Sequence, residues 1–586
     1  MKRFIVRFLA ILGLIVALAL VIVVAVAIRS KTHVPARAVL ELNLETGLLE
    51  DVPENSVAKT LNADTPIVLD VVAALERAEN DDRVQGLVAH FGANRIGMAQ
   101  AQEIRDAVLS FRSKHKFAYA WAESYGGDWG PGTGSYYLAS AFEQVFLQPS
   151  GDVQLTGILF ESPFIKGTLG KLGMQFHGDH RYEYKTALNM YTESRFTPAH
   201  KEEDEKVMNS WYGQIVQGIA KARSLSEVQV RALVDRAPLA ASEALDAKLV
   251  DGLKYHDEVY DMAKKRAGDG AEMIFADRYL ERAGSPHNHG KTIALVYGVG
   301  AVTRGKSGYD PVFGGVSMGS DTVAGALRAA SDDKNVKAIL FRVDSPGGSY
   351  IASDAIWREV VRARQKGKPV VVSMGDLAGS GGYFVAMAAD KIVAQPGTIT
   401  ASIGVLSGKI LTSGFWDKLG LTWDEVHAGN NATLYSGTED FTPAEWQKFE
   451  AWLDRVYEDF TNKVADGRKL PKEKVLQIAK GRIWTGEDAK GLGLVDELGG
   501  FPEALKLTKQ AVGIPESDEV NLKVFPPKKT ALQTLLATEP DSSEKEAEAG
   551  VLLRTLQVIQ PLARRLSMLG GANDGVLTMQ RFGGER

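Results

Sequence analysis

The chain has 586 residues, 45% of them hydrophobic and 24% charged, an ordinary globular composition that excludes a disordered or fibrous protein. At a typical ~150 residues per domain, this length predicts more than one domain. The net charge of −5 offers no basic surface, so no nucleic-acid partner is expected, and the absence of cysteine excludes disulfides, thiolate metal sites and a cysteine nucleophile.

The N-terminus carries the pattern of a membrane anchor. Phe8 to Ile28 is a run of 21 residues without a charge, long enough to cross a hydrocarbon core of ~30 Å as a helix. Residues 1–29 are therefore predicted to be a single-pass anchor, with residues 8–28 in the lipid bilayer. Basic residues flank the run on both sides, so charge orients it only weakly. A cleaved signal peptide is the alternative, because Ala25-Val26-Ala27 fits a cleavage site.

A long internal repeat occupies most of the remaining chain. Gly134-Ser135-Tyr136-Tyr137 recurs 247 residues later as Gly381-Gly382-Tyr383-Phe384, and Phe196-Thr197-Pro198 recurs 245 residues later as Phe441-Thr442-Pro443. Many such matches in the same order predict two copies of one domain. We place the N-terminal repeat at 38–283 and the C-terminal repeat at 291–524, joined by a polar linker near 284–290.

The sequence pattern of each copy is typical of an α/β domain. The apolar run from Val336 to Val343 ends in a Ser-Pro-Gly-Gly turn, residues 350–366 have helical spacing, and a second strand at 369–374 leads through glycines into a helix near Ser380. This alternation predicts an α/β fold with a parallel sheet and right-handed crossovers. The tail, 525–586, has amphipathic spacing between 551 and 569 and is predicted to form a helix that packs on a neighbouring copy or subunit; the alternative is a frayed terminus.

Two turns of the second copy could carry chemistry. Ser380 lies between glycines at a strand-to-helix turn, where backbone N–H groups favour a developing negative charge. Adjacent parallel strands end side by side, so the N–H groups of Gly347 and Gly381 could form an oxyanion hole beside Ser380. The alternatives are a serine N-cap and a plain Ser-Pro-Gly-Gly turn. Of ten histidines, only His427 follows these turns within the copy, and no carboxylate pattern marks it as an oriented base; lysine is the other documented partner of a catalytic serine.

In combination, these motifs resemble a known family. The repeats, the turn from Val343 to Gly348, the turn from Ser380 to Tyr383 and the stretch from Trp484 to Asp496 are similar to signal peptide peptidase A in its long, tandem-domain bacterial form. The resemblance implies two tandem Clp protease/crotonase-like domains and a membrane-anchored serine endopeptidase. Such an enzyme uses a Ser/Lys dyad, without cofactor or metal, on signal peptides left after secretion. It also implies a homotetramer at the bacterial inner membrane, with the catalytic domains in the periplasm.

The repeat spacing identifies the lysine that this dyad needs. In single-domain members of the family the lysine follows the serine by about fifty residues. In the first copy Lys185 follows Thr133, the counterpart of Ser380, by 52 residues, and the same step from Ser380 reaches Ala432. Each copy has therefore kept one half of the dyad, which predicts one composite site with Ser380 as nucleophile and Lys185 as general base. The alternative for Lys185 is a solvated surface lysine.

Burial between the copies would supply the neutral lysine that this chemistry requires. Ser402 resembles the family's second hydroxyl, which orients the lysine amine; the alternative is a buried serine at a strand end. Two other functions remain open at this point. One is a crotonase-like acyl-CoA enzyme, and the other is a non-catalytic membrane scaffold.

Overall fold

The computed structural model describes residues 33–51, 65–93, 96–310, 315–527 and 576–578. The predicted anchor, including residues 8–28, lies outside these ranges. Within them, none of the helices combines the length and apolar character needed to cross a bilayer.

The first repeat alternates strands and helices. Its strands are β1 (Ala38–Asn43), β2 (Val84–Phe91), β3 (Phe117–Ala122), β4 (Gln144–Leu147), β5 (Asp152–Val153), β6 (Gln175–His180), β7 (Leu239–Ala240), β8 (Gly252–Leu253) and β9 (Glu272–Phe275). Its helices are α1 (Val68–Glu79), α2 (Met98–Ser113), α3 (Thr133–Ala139), α4 (Lys166–Leu172), α5 (Asn189–Thr192), α6 (Pro198–Arg223), α7 (Glu227–Arg236), α8 (Ala241–Asp246), α9 (His256–Ala267) and α10 (Ala276–Ala283), with a 3₁₀ turn at Thr186–Leu188.

The second repeat follows the same plan. Its strands are β10 (Lys291–Val299), β11 (Ala301–Thr303), β12 (Gly308–Asp310), β13 (Gly315–Gly319), β14 (Val336–Ser345), β15 (Gly347–Ser349), β16 (Val370–Gly379), β17 (Lys391–Ala394), β18 (Ile399–Ala401), β19 (Leu406–Leu411), β20 (Ile483–Thr485), β21 (Glu497–Leu498) and β22 (Val520–Phe525). Its helices are α11 (Ser320–Asp332), α12 (Tyr350–Gln365), α13 (Gly381–Ala386), α14 (Ser413–Lys418), α15 (Pro443–Arg468), α16 (Lys472–Ile478), α17 (Gly486–Leu492) and α18 (Phe501–Ala511).

The central sheets of the two repeats have the same strand order. In the first repeat it is β8-β4-β3-β2-β1-β9, and in the second the corresponding strands run β21-β17-β16-β14-β10-β22, all of them parallel. Apolar strand residues pack against the flanking helices to form a separate main core in each repeat. The predicted α/β fold and parallel sheet are therefore present in both copies.

The repeated Phe-Thr-Pro motif starts the longest helix of each copy. Thr197 and Thr442 are the N-caps of α6 and α15, and each side chain accepts a hydrogen bond from a backbone N–H in the first turn. The following proline suits the first helical position, where its missing N–H costs nothing. Both helices have 26 residues and end at a residue in the left-handed helical conformation. The two copies therefore agree in the length of this helix and in the conformation of its caps.

A buried group of charges joins the two repeats. The guanidinium of Arg342, on β14, donates to Glu50 at 2.9 Å and to Glu103 at 2.7 Å, and both glutamates belong to the first repeat. Asp376, in β16, accepts hydrogen bonds from the backbone N–H groups of Ala99 and Gln100 at the N-terminus of α2. Burial and the nearby Glu50 raise the pKa of Asp376 to about 7. These bonds fix the position of one sheet relative to the other.

Two strand pairings complete the part of the fold that surrounds the site. β6 of the first repeat pairs antiparallel with β19 of the second, which forms a two-stranded sheet across the repeats. In the tail, Val576–Thr578 forms strand β23, antiparallel to β15. The tail was predicted to be helical; the segment 551–569 that carried this prediction lies outside the described residues, and the described piece at 576–578 is a strand.

Candidate active site

Ser380 lies at the turn between β16 and α13. Its backbone has φ +53°, an unusual conformation for a residue with a side chain, and it is the N-cap of α13. Its own N–H donates to the Ala401 carbonyl at 2.7 Å, which ties the turn to the end of β18. The side chain is 0% exposed. The turn therefore holds the hydroxyl at the helix N-terminus in a fixed, desolvated position.

Lys185 reaches this hydroxyl from the first repeat. Its Nζ lies 2.8 Å from Ser380 Oγ, 2.8 Å from the Ser402 carbonyl oxygen and 3.0 Å from Ser402 Oγ. The residue is 1% exposed, so it is not a solvated surface lysine. The structure thus brings together Ser380, Lys185 and Ser402, the three side chains that sequence analysis selected.

The hydrogen bonds around the Lys185 amine determine which acceptor each of its hydrogens faces. The Ser402 carbonyl can only accept, so it takes one N–H from Lys185. The Ser402 hydroxyl lies 3.3 Å from the Gly481 carbonyl and donates to it, which leaves its oxygen to accept the second N–H. A neutral amine has no third hydrogen, and its lone pair then faces the Ser380 hydroxyl. Ser402 therefore orients the amine as a hydrogen-bond acceptor toward Ser380.

Burial favours this neutral form. Desolvation lowers the pKa of Lys185 to about 7, against a small opposing effect of Glu203. Gly481 contributes to the dry environment, because its backbone lies directly against the lysine. A Cβ at Gly481 would lie 2.6 Å from Lys185 Cβ, and its φ of +81° further favours glycine.

Two glycine turns meet beside the serine. A Cβ on Gly381 would lie 3.0 Å from the Gly348 nitrogen and 3.1 Å from Gly347 Cα, so only glycine allows this close approach. As the first residue of α13, Gly381 has an N–H with no acceptor within the helix. The Gly347 N–H donates to Ser345 Oγ at 3.2 Å. Of the two predicted oxyanion donors, Gly347 therefore already has an acceptor within the chain.

The counterparts of Ser380 and Lys185 in the opposite copies have no comparable chemistry. Thr133, the counterpart of Ser380, is buried and its Oγ1 accepts a hydrogen bond from Gly157 N at 3.0 Å. Ala432, the counterpart of Lys185, is exposed and has no titratable group.

Glu203 is a site residue that sequence analysis missed. It is fully buried on α6, and its carboxylate accepts from the Ile483 backbone N–H at 2.8 Å and from the Thr186 hydroxyl at 3.1 Å. Burial raises its pKa well above the usual range. It therefore joins the segment after Lys185 to β20, the strand beside β18. Nothing in the sequence around Glu203 distinguishes it from the other glutamates of α6.

One group of side chains in the described part of the chain has a geometry that could hold a cation. Glu45, His90 and Glu123 lie near the carboxyl ends of β1, β2 and β3 in the first repeat. His90 Nε2 is 2.8 Å from Glu123, and Nδ1 is 3.6 Å from Glu45. Because opposite sides of the ring face the two carboxylates, a bridging imidazole accounts for this arrangement.

Comparisons with known proteins identify the class and the family. Residues 110–269 and 362–515, together more than half of the chain, match Peptidase family S49. The chain belongs to this family, in agreement with the resemblance found in the sequence, and it is a serine protease. The two alternatives, an acyl-CoA enzyme and a non-catalytic scaffold, find no support in these comparisons.

Similar proteins extend over most of the chain. Protease 4 of Salmonella typhi is 33% identical, over 75% of this chain and 71% of its own length. Protease 4 of Haemophilus influenzae is 28% identical, over 96% and 94%. The chloroplastic serine protease SPPA of Arabidopsis thaliana is 29% identical, over 79% and 68%. The structure of ClpP1 from Listeria monocytogenes matches 37% of this chain and 95% of its own, with a TM-score of 0.23 at 16% identity. That score is too low to support an argument, so the predicted Clp protease/crotonase-like fold stays a prediction.

Proposed function

We propose that this serine protease is a membrane-anchored endopeptidase that cleaves apolar peptides, chiefly signal peptides left after secretion, through a Ser380/Lys185 dyad. The observation that carries the dyad is the 2.8 Å contact between Lys185 Nζ and Ser380 Oγ, with both amine hydrogens directed to Ser402. Among the described residues, Lys185 is the only buried lysine whose amine is hydrogen-bonded to a buried hydroxyl.

The proposed reaction is acyl transfer. Ser380 Oγ attacks the scissile carbonyl carbon while its proton passes to the Lys185 lone pair, and the carbonyl oxygen becomes an oxyanion held by the N–H of Gly381, together with that of Gly347. The lysine then returns the proton to the leaving amine as the C–N bond breaks. Water, deprotonated by the same amine, cleaves the ester and regenerates Ser380.

The edge of β15 offers a binding mode for the peptide. Gly347–Ser349 pairs antiparallel with Val576–Thr578 of the tail, which demonstrates that this edge accepts an extended segment. A substrate that took the place of this tail strand would gain main-chain hydrogen bonds that do not depend on its sequence. Its carbonyl groups would then pass close to Gly381 and Ser380.

The cellular setting is proposed from sequence and resemblance. The apolar run at 8–28 favours anchoring in the bacterial inner membrane, near the site where signal peptides are released, with the catalytic domains in the periplasm. The resemblance also favours a homotetramer. Apolar peptide substrates fit such a location because the bilayer concentrates them.

A fluorophosphonate probe, which labels activated serines, tests the dyad on the full chain in detergent. We expect labelling of the wild type and its loss in both Ser380→Ala and Lys185→Ala, with circular dichroism unchanged. Thr133→Ala is the matched control, since it alters the equivalent residue of the first repeat, and it should label normally. Labelling that survives in Lys185→Ala would exclude lysine as the base. Substrate class is tested separately, by comparing cleavage of a synthetic signal peptide with that of a polar peptide of equal length.

A further inference from the structure

The carboxyl group of Glu203 lies between two chain segments that come from different repeats. Its Oε1 is 3.1 Å from the hydroxyl of Thr186, the residue directly after Lys185. Its Oε2 accepts the backbone N–H of Ile483, the first residue of β20, at 2.8 Å. One buried side chain of α6 therefore contacts both the segment that carries the lysine base and a strand of the second repeat.

The residues just before β20 connect the lysine to Ser402. The Ser402 hydroxyl donates to the Gly481 carbonyl at 3.3 Å, and the Ser402 N–H donates to the Arg482 carbonyl at 2.9 Å. From the first repeat, the N–H of Tyr184 donates to the Lys480 carbonyl at 3.2 Å. The position of segment 480–483 thus decides how the amine and the hydroxyl that orients it lie relative to each other.

The backbone conformation of this segment needs support from its surroundings. Lys480 has φ +54° and Gly481 has φ +81°, two successive residues in a region that side chains with a Cβ rarely adopt. Such a conformation persists where neighbouring structure holds it. The hydrogen bond from Ile483 to Glu203 follows this bend directly and ties it to α6 of the other repeat.

The two copies of the domain differ at this position of their longest helix. Because both helices begin at the repeated Phe-Thr-Pro motif, residues 245 positions apart are equivalent, and the counterpart of Glu203 is Lys448. Lys448 is exposed, whereas Glu203 is buried. The copy that has Ala432 in place of the lysine base therefore has no buried carboxyl here either, and the buried acid accompanies the base.

We propose that Glu203 is a positioning residue of the protease, which as a neutral carboxylic acid fixes Thr186 and Ile483 and thereby holds the Lys185 amine against Ser380. The inference rests on the Ser380/Lys185 dyad proposed above. Glu203 itself contacts neither of these two side chains by a hydrogen bond, so it acts through the segments that carry the base and its partners.

The charges around Glu203 favour its neutral form. Burial raises the pKa of Glu203 well above its usual range, although its two hydrogen-bond partners oppose this shift. Among its charged neighbours, Asp204 raises this pKa further and Arg482 lowers it. A negative charge on Glu203 would raise the pKa of Lys185 and so favour the protonated amine. His180, which also interacts with Lys185, has a pKa lowered by burial and adds no negative charge.

Glutamine is the substitution that preserves this arrangement. The amide has the shape of the neutral acid, its oxygen can accept the Ile483 N–H, and its NH₂ group can donate to the Thr186 hydroxyl. Alanine removes both hydrogen bonds and lets water enter beside the lysine segment. Glu203→Gln and Glu203→Ala therefore separate the proposed role from a general need for a large side chain.

Kinetics of the full chain in detergent, with a peptide substrate, test the proposal. Glu203→Gln should keep kcat within about threefold of the wild type, with the same pH midpoint of fluorophosphonate labelling. Glu203→Ala should lower kcat at neutral pH by about tenfold to a hundredfold with little change in KM, because the base is misplaced. Its labelling midpoint should move to higher pH by about one unit, because hydration favours the charged amine.

Two matched variants control for changes elsewhere on these helices. Glu205→Ala alters an exposed carboxylate of α6, and Lys448→Ala alters the equivalent position of α15. Both should leave kcat and the labelling midpoint unchanged. Circular dichroism and thermal unfolding check the fold of each variant. If Glu203→Ala does not fold, Thr186→Val breaks the same link from the other side and should lower kcat in the same direction, with KM retained.

The outcomes distinguish this inference from the dyad on which it rests. Loss of labelling in Lys185→Ala together with an unchanged kcat and midpoint in Glu203→Ala would overturn the role of Glu203 and leave the dyad in place. Equal impairment of Glu203→Gln and Glu203→Ala would also overturn it, because the neutral isostere would then not replace the acid. Labelling that survives in Lys185→Ala would overturn the dyad and this inference with it.

Discussion

The turn at Ser380 and the turn at Thr133 have the same place in the fold but different surroundings. Both begin a short helix after the third strand of a parallel sheet. At Ser380 a buried amine from the other repeat lies 2.8 Å from the hydroxyl, while at Thr133 the hydroxyl accepts a hydrogen bond from Gly157 N at 3.0 Å. The fold therefore supplies the turn, and the chemistry depends on what the other repeat places opposite it.

The largest expected effect is the loss of the nucleophile. Ser380→Ala should lower kcat for peptide hydrolysis by about 10⁴-fold or more, because no acyl-enzyme can form. Thr133→Ser, the matched control in the first repeat, should change kcat less than about twofold, because it keeps the hydroxyl and touches no proposed catalytic group. Comparable losses in the two variants would mean that both turns take part in catalysis.

Removal of the base should have nearly as large an effect on activity and the opposite effect on stability. Lys185→Met should reduce kcat by about 10³-fold, the range for loss of general-base catalysis. A lysine with pKa near 7 in the folded state and 10.5 when unfolded binds fewer protons folded than unfolded between these values. Its burial therefore costs stability, fully below pH 7 and less as the pH rises toward 10.5.

The thermal unfolding midpoint measures this second effect. Lys185→Met should unfold at a higher temperature than the wild type at neutral pH, by an amount that corresponds to a few kcal/mol. The difference should shrink as the pH is raised. A variant that is less stable than the wild type at neutral pH would contradict the assignment of Lys185 as a buried, destabilised amine.

A second pair of equivalent residues extends the comparison to stability. Arg342 on β14 corresponds to His90 on β2, 252 residues earlier. Arg342 is fully buried between two glutamates of the other repeat, whereas His90 pairs with two half-exposed glutamates of its own repeat. Arg342→Met should lower the free energy of unfolding by about 3–5 kcal/mol, because it leaves two buried carboxylates without the cation that compensates their charge.

His90→Gln is the control for this prediction. Loss of a partly exposed contact between a histidine and two carboxylates should cost about 1 kcal/mol or less. Chemical denaturation of both variants, with the slopes checked for equality, measures the difference. Equal losses would mean that the charges between the repeats contribute no more than those at the surface.

These pairs also show how much of the site could be predicted from the sequence. Ser380 and Lys185 could be found because the duplication allows equivalent positions of the two copies to be compared. In the first copy Lys185 follows Thr133 by 52 residues, whereas the residue 52 positions after Ser380 in the second copy is Ala432. Arg342 and Glu203 left no such trace, since their partners lie on other elements, up to 292 residues away along the chain. The pairing of β6 with β19 could not be predicted from the sequence either, because a strand at the edge of a repeat does not specify the copy with which it pairs.

Ser402 should have a smaller effect than the dyad. Ser402→Ala removes one acceptor of the amine hydrogens but leaves the backbone carbonyl of the same residue in place. The amine can then rotate, so kcat should fall by about tenfold to a hundredfold with little change in KM. Ser402→Thr keeps the hydroxyl and should restore most of the rate. An unchanged rate in Ser402→Ala would show that the carbonyl alone orients the lysine.

The mildest perturbation is a change of pH. Because burial brings the pKa of Lys185 to about 7, the fraction of neutral amine falls about tenfold for each pH unit below that value. The kcat/KM of the free enzyme should therefore rise with pH and level off above neutrality, measured with a peptide that has no group titrating in this range. The rate of fluorophosphonate labelling should follow the same curve, since it needs the same activated serine. A flat profile for both across the neutral range would mean that the base is not Lys185. The counterparts of the dyad in the opposite copies, Thr133 and Ala432, have no group that exchanges a proton near this pH.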